Sequence, residues 1–266
     1  MNSLVLSLSA LAALVPATLL PFLRQAARAD AVFWLLLGAA LAGASALSAV
    51  SLAAQWQTGL PIALWLAVAV SLAIFGLVVL WTREAARLTP LLLPYLLVLG
   101  ALATAFGPLV GPETMAGGAD GWLVTHIATS IATYGLCTIA AVASAAVFLQ
   151  ERALKRRRPN AFTRMLPSVA DAERLELRLL AASEVVLGAG IATGVSELYV
   201  TSGEFFTVSH KTLLSVLAFA VIGVLLLLHY RSGLRGRRAA RVVLVAYLLL
   251  TLAYPGVKFV TDILLG

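Results

Sequence analysis

Eight stretches of about 20 predominantly apolar residues run through this chain, near 3–22, 32–53, 60–81, 90–110, 122–148, 179–199, 211–230 and 242–265. About 20 residues at 1.5 Å each is what an α-helix needs to cross the roughly 30 Å hydrocarbon layer of a bilayer. Inside lipid the backbone must satisfy its own hydrogen bonds, so such runs are expected to cross as helices. The expected class is all-α: a polytopic membrane helix bundle of about eight transmembrane helices, built as a single integral membrane domain over residues 1–266. Composition agrees, with 61% hydrophobic and 12% charged residues against about 45–50% and about 25% in soluble domains.

The connections sort the cations. Of 19 Lys and Arg, Arg24 and Arg28 follow the first helix, and Arg83 and Arg87 follow the third. The run from Arg152 to Arg178 follows the fifth, and Arg231 to Arg241 follow the seventh. Only Lys211 and Lys258 fall elsewhere. The positive-inside rule then places both termini outside, N-out and C-out. Because topology accounts for the basic residues, the net charge of +7 implies membrane lipid as their partner and no nucleic acid. The first helix has no cation before it and Arg24 and Arg28 after it, the reverse of a signal peptide's flanks, so it is expected to stay anchored. The one long connection, 149–178, reads as a cytoplasmic loop on the lipid surface, with a short interfacial helix over Ala172–Arg178. No internal repeat of the inverted kind seen in transporters is present.

Function should sit at ionisable residues placed where water is scarce. These are His126, Glu184, Glu197, His210, His229, Lys258 and Asp262. His126 near the start of the fifth helix and His210 at the start of the seventh lie at similar external depth. Two opposed imidazoles about 4 Å apart, nitrogen to nitrogen, would hold one iron between them; the other reading is two interfacial histidines bonded to loop or water. His229, roughly 28 Å along the helix from His210, belongs to the cytoplasmic interface beside Tyr230 and Arg231. Ser130, Thr133, Cys137 and Ser144 fall within about 40° of His126 on the helical wheel, a face turned to protein. Gly190 and Gly194 form a close-approach face on the sixth helix. Glu184 and Glu197 are separated by about 20 Å, too far to work as a catalytic pair, so general acid/base hydrolysis is not supported. Glu184 is expected to meet a cytoplasmic arginine or line an inner cavity, and Glu197 to see Lys211 or Lys258. Lys258 and Asp262 stand i,i+4, as a local ion pair or with Lys258 turned inward to an anionic group. The lone Cys137, with no CxxC or CxxCH, leaves no route to an internal disulfide or a covalent haem.

Five stretches carry a resemblance to a known family: His126-Ile127-Ala128-Thr129-Ser130 with Tyr134, Leu166-Pro167-Ser168 followed by Glu173-Arg174-Leu175, Gly190-Ile191-Ala192-Thr193-Gly194, His210-Lys211-Thr212-Leu213-Leu214-Ser215, and Gly233-Leu234-Arg235-Gly236-Arg237-Arg238. In this order they resemble the cytochrome c assembly superfamily that includes CcsA, CcmC and CcmF, most closely its short eight-helix HemX/YpjD-like branch. Residues 1–110 match only in topology and character. The resemblance implies haem, b-type and non-covalent, bound near the external face by His126 and His210, with Lys258 as a candidate propionate partner. It also implies cytochrome c assembly or haem-biosynthesis proteins as partners. The tryptophan-rich external motif with its WxWD core is absent, the segment from Gly111 to Gly121 being short and followed only by Trp122. Haem presentation to apocytochrome c is therefore not implied, whereas binding, sensing or passing haem, or modulating its biosynthesis, is. The competing readings are a membrane scaffold or regulatory subunit acting through loops 149–178 and 231–241, and a small-solute transporter.

Overall fold

The structure, a computed structural model, describes residues 3–54, 59–110, 121–203, 210–233 and 236–264, with side chains given for all of these except residues 3, 54, 201, 202, 210, 211 and 264. The segment 111–120 and Arg235 thus lie outside the described residues. All eight expected spans are present as helices, and the protein is a multi-pass membrane protein. They are α1 (Ser3–Arg24), α2 (Ala31–Ala54), α3 (Leu60–Trp81), α4 (Thr89–Phe106), α5 (Gly121–Lys155), the short connector α6 (Ala161–Met165), α7 (Val169–Ser202), α8 (His210–Ser232) and α9 (Arg237–Thr251). The last span continues past α9 through π-helical turns at Leu252–Gly256 and Val260–Leu264. Among the described residues there is no strand.

Local chemistry starts and stops these helices. Asp30 accepts the Phe33 N–H at 2.9 Å and opens α2. Pro61 and Pro90 occupy the first turns of α3 and α4, where the missing N–H costs nothing. Asn160 and Thr163 exchange capping bonds around α6. Ser168 caps α7, which ends at Gly203 in the left-handed conformation.

Packing divides the bundle into α1–α4 and the group α5, α7, α8 and α9, joined where α5 meets α3. Small residues permit the close crossings. A Cβ on Gly135 would come within 2.9 Å of Ile74 Cδ1, so the α3–α5 contact depends on that glycine. The most extensive pairing is between α5 and α7. At 35 and 34 residues they are roughly 50 Å long and outlast the hydrocarbon layer.

One expectation about the connection 149–178 fails here. Its ends are not loop but continuations of α5 to Lys155 and of α7 from Val169, and Ala172–Arg178 is no separate interfacial helix. Ala172, Leu175 and Leu179 are buried: they pack inside the protein where the sequence pattern points them at lipid. Gln150 holds the true connection by donating from Nε2 to the carbonyls of Thr163 (2.8 Å) and Pro167 (3.0 Å).

Candidate functional site

The alternation of the spans brings the starts of α3, α5 and α8 and the ends of α4, α7 and the last span to one end of the bundle, opposite the cation-rich end. His126, His210 and Lys258 belong to that end. Of these, the side chain of His210 lies outside the described residues; its backbone begins α8.

His126 projects from the first turns of α5 onto α7. Its Nδ1 lies 3.0 Å from the Gly190 carbonyl oxygen. A carbonyl can only accept, so Nδ1 carries the proton and the neutral ring keeps its lone pair on Nε2. The Thr193 hydroxyl donates to the same carbonyl at 3.0 Å. One turn on, a Cβ at Gly194 would stand 2.9 Å from the ring carbon Cε1 and 3.1 Å from Nδ1. At Gly190 the nearest neighbour of such a Cβ would be the Thr129 hydroxyl, at 3.4 Å. The two glycines therefore seat an imidazole and a threonine rather than a bare helix backbone. An Nδ1–H bonded to a backbone carbonyl, with Nε2 left over, is the arrangement by which proteins fix a histidine for ligation.

The remaining residues are placed differently from their sequence expectations. Glu184 forms no ion pair among the described residues. Its Oε2 is buried without a hydrogen-bond partner, and Oε1 lies where a Cβ on Gly223 of α8 would stand, 2.9 Å away. It meets α8, not an arginine. Asp262 turns to α3, accepting the Leu60 N–H at 2.8 Å, and also takes the Thr261 hydroxyl at 2.7 Å; it ties the last span to the start of the third. Lys258 is half-buried on the segment between the two π-helical turns. His229 packs edge-on to Tyr230 at the cation-rich end. Lys211, one expected partner of Glu197, has its side chain outside the described residues.

The helical stripe below His126 does face protein: Thr133, Cys137 and Ser144 are buried. Antiparallel register sets Cys137 near Ser183 and Glu184, and Ser144 near Glu176. At the cation-rich end Glu173 accepts the Gly236 N–H at 2.8 Å, so two of the family-like stretches turn out to be bonded partners. Sequence reading missed a cluster of phenols. Tyr247 of α9 lies 2.6 Å from Tyr95 of α4, 3.2 Å from Tyr134 of α5 and 2.9 Å from the Thr138 hydroxyl. The only advance signal was a tyrosine inside each of three apolar runs. Among the described residues no three His, Cys, Asp or Glu side chains gather to hold a metal ion.

A sequence profile described as Cytochrome C assembly protein matches residues 13–265. The chain belongs to that family. The match takes in the second half of α1 and all of α2 to α4, which the family-like motifs leave unmarked. An uncharacterised 28.8 kDa protein from Azospirillum brasilense is 54% identical over 269 residues, covering 100% of this chain and 99% of its own length. Protein HemX of Brevibacillus brevis is 30% identical over 134 residues, 50% of this chain and 49% of its own. Inner membrane protein YpjD of Escherichia coli K12 is 29% identical over 144 residues, 53% of each chain. No solved structure matches the chain. The HemX and YpjD likenesses support the short branch of the family over its large assembly factors.

Proposed function

We propose that the protein binds and handles haem at the end of the bundle where α5 and α8 begin, with His126 and His210 as axial ligands and Lys258 as the partner of a haem propionate. The observation that carries the reading is the Nδ1 bond from His126 to the Gly190 carbonyl, 3.0 Å, which presents Nε2 as a donor whose tautomer is set before any ligand arrives. Haem needs only one or two axial nitrogens and an apolar slot, which suits an apolar bundle end where His126 and His210 stand near the start of two of the helices. Bound there, haem would supply redox-active iron; the chain's own part is to orient the imidazoles, exclude water and balance propionate charge. With no CxxCH present, attachment is non-covalent and the haem b-type. Family membership supports the assignment, as does the likeness to a protein named HemX. The likeness to an inner membrane protein supports a bacterial inner membrane with the cation-rich end in the cytoplasm. The partners that follow are cytochrome c assembly or haem-biosynthesis proteins.

Absorption spectroscopy tests this. Detergent-purified protein reconstituted with haem should show a Soret band, with affinity falling at least about tenfold in His126→Ala and in His210→Ala, since losing a ligand costs more than losing its supporting partner. Full haem occupancy in the double variant overturns the assignment.

A further inference from the structure

At the opposite end of the molecule a recess of about 220 Å³ opens between the C-terminus of α1, the N-terminus of α2 and the start of α4. Arg24, Arg28 and Asp30 supply its charge, and Leu20, Pro21 and Phe33 its apolar wall. Asp30 is already committed, accepting from Arg24 at 2.5 Å and from the Phe33 N–H at 2.9 Å. The Phe33 N–H first, and Arg24 with it, hold the Asp30 carboxyl below its ordinary value of 3.8 against some desolvation, so it stays ionised near neutrality. That grip orients Arg24 while leaving most of its N–H donors unused. Arg28 forms no ion pair with any described residue. Two guanidiniums against one carboxylate leave a single positive charge facing the recess.

We propose that this recess binds the phosphate group of an anionic phospholipid. The ligand's chemistry follows from three features. Guanidiniums are the side chains suited to forked contacts with phosphate oxygens. One net positive charge matches one phosphodiester. The volume is several times the roughly 30 Å³ share of a water molecule, leaving room for ester oxygens and glycerol beside the phosphate. What favours a lipid over a free anion is the place of the recess at the end of a membrane span: on the same two turns of α1, Leu19 and Leu23 are 48% and 80% exposed, an apolar surface that sets the recess at the border of the acyl chains. Basic pockets between membrane helices recognise anionic headgroups in this way. No residue of the connection 149–178 lines the recess, although Phe162 of α6 stacks on Phe22 beside it with ring centroids 6.4 Å apart, and the reading of the recess does not depend on haem.

Native mass spectrometry of the full-length, detergent-purified protein gives the test. Phosphatidylglycerol should be retained at least about fivefold more than phosphatidylcholine, and equal retention of the two overturns the proposal without any variant. Arg28→Gln should lower phosphatidylglycerol retention about fivefold, the equivalent of about 1 kcal/mol per arginine near an anionic headgroup. Arg156→Gln removes the same charge outside the recess and should leave retention within about twofold. Equal losses in the two variants would mean diffuse attraction and sink the site. Displacement of phosphatidylglycerol by excess inorganic phosphate would reassign the recess to a free anion and likewise overturn the lipid assignment.

Discussion

At the scale of single residues, the His126 ring is held from two sides, by a hydrogen bond at Nδ1 and by the absence of a side chain at Gly194. The second makes a sharp test. Gly194→Ala places a methyl 2.9 Å from Cε1, so the ring must move and its bond to Gly190 must lengthen. Haem affinity should fall about tenfold, the usual size of a lost supporting contact, and the Soret maximum should shift. Thr193→Val removes only the second donor to the Gly190 carbonyl and should leave both within about twofold. Equal titration curves for wild type and Gly194→Ala would show that the glycine seat does not position the ring. This site was half legible. His126 announces itself as an ionisable residue in an apolar run, and the two glycines announce a close approach. What approaches them is invisible in sequence, because the partner is a ring on another helix and the acceptor is a backbone carbonyl, which carries no sequence signature. Glu184 misleads for a related reason: a carboxylate in an apolar helix suggests a cationic partner, whereas here the room comes from Gly223.

At the scale of elements, the turn between α8 and α9 is fixed by two glycines that sequence cannot tell apart. Gly233 and Gly236 both have φ +66°, a region that disfavours every residue with a Cβ. Around Gly233 a Cβ would meet nothing within 4 Å, while at Gly236 it would run into Glu151 Oε1. Gly233→Ala should therefore cost about 1 kcal/mol from backbone strain alone. Gly236→Ala should cost about 2–4 kcal/mol, adding the displaced carboxylate and the weakened bond from the Gly236 N–H to Glu173. Denaturant titration in detergent separates the two; equal losses would mean that Glu151 moves aside freely. The same elements show why the amphipathic pattern of 172–178 points to lipid in the sequence and to protein in the structure. Mixed charge with leucines has the amphipathy of a helix on lipid, and only the pairing of α5 with α7 decides that Leu175 and Leu179 go inward. The existence and order of the spans were legible, since about 20 apolar residues have one physical outcome in a bilayer, but α5 and α7 run seven and ten residues further into the basic connection than their apolar runs.

At the scale of the whole molecule, the two ends of the bundle differ in kind. One gathers His126, His210, Lys258 and Asp262; the other gathers nearly every cation, the long α5–α7 overhang and the recess beside Arg24. Charge asymmetry of this sort fixes orientation during insertion, because basic connections resist translocation. It predicts that the histidine end faces outward, which is where haem delivered to an extracytoplasmic process must stand. Cysteine labelling reads this directly, since the natural Cys137 is 2% exposed and gives almost no background. Ala116→Cys, in the connection before α5, should react with a membrane-impermeant maleimide added to intact spheroplasts. Arg156→Cys, beyond the end of α5, should react only after the membrane is opened. The reverse pattern would turn the molecule over: the imidazoles would then face the cytoplasm, the arginine-lined recess would meet the outer leaflet, and the functional reading would have to pass from extracytoplasmic haem handling to an exchange with soluble haem inside the cell.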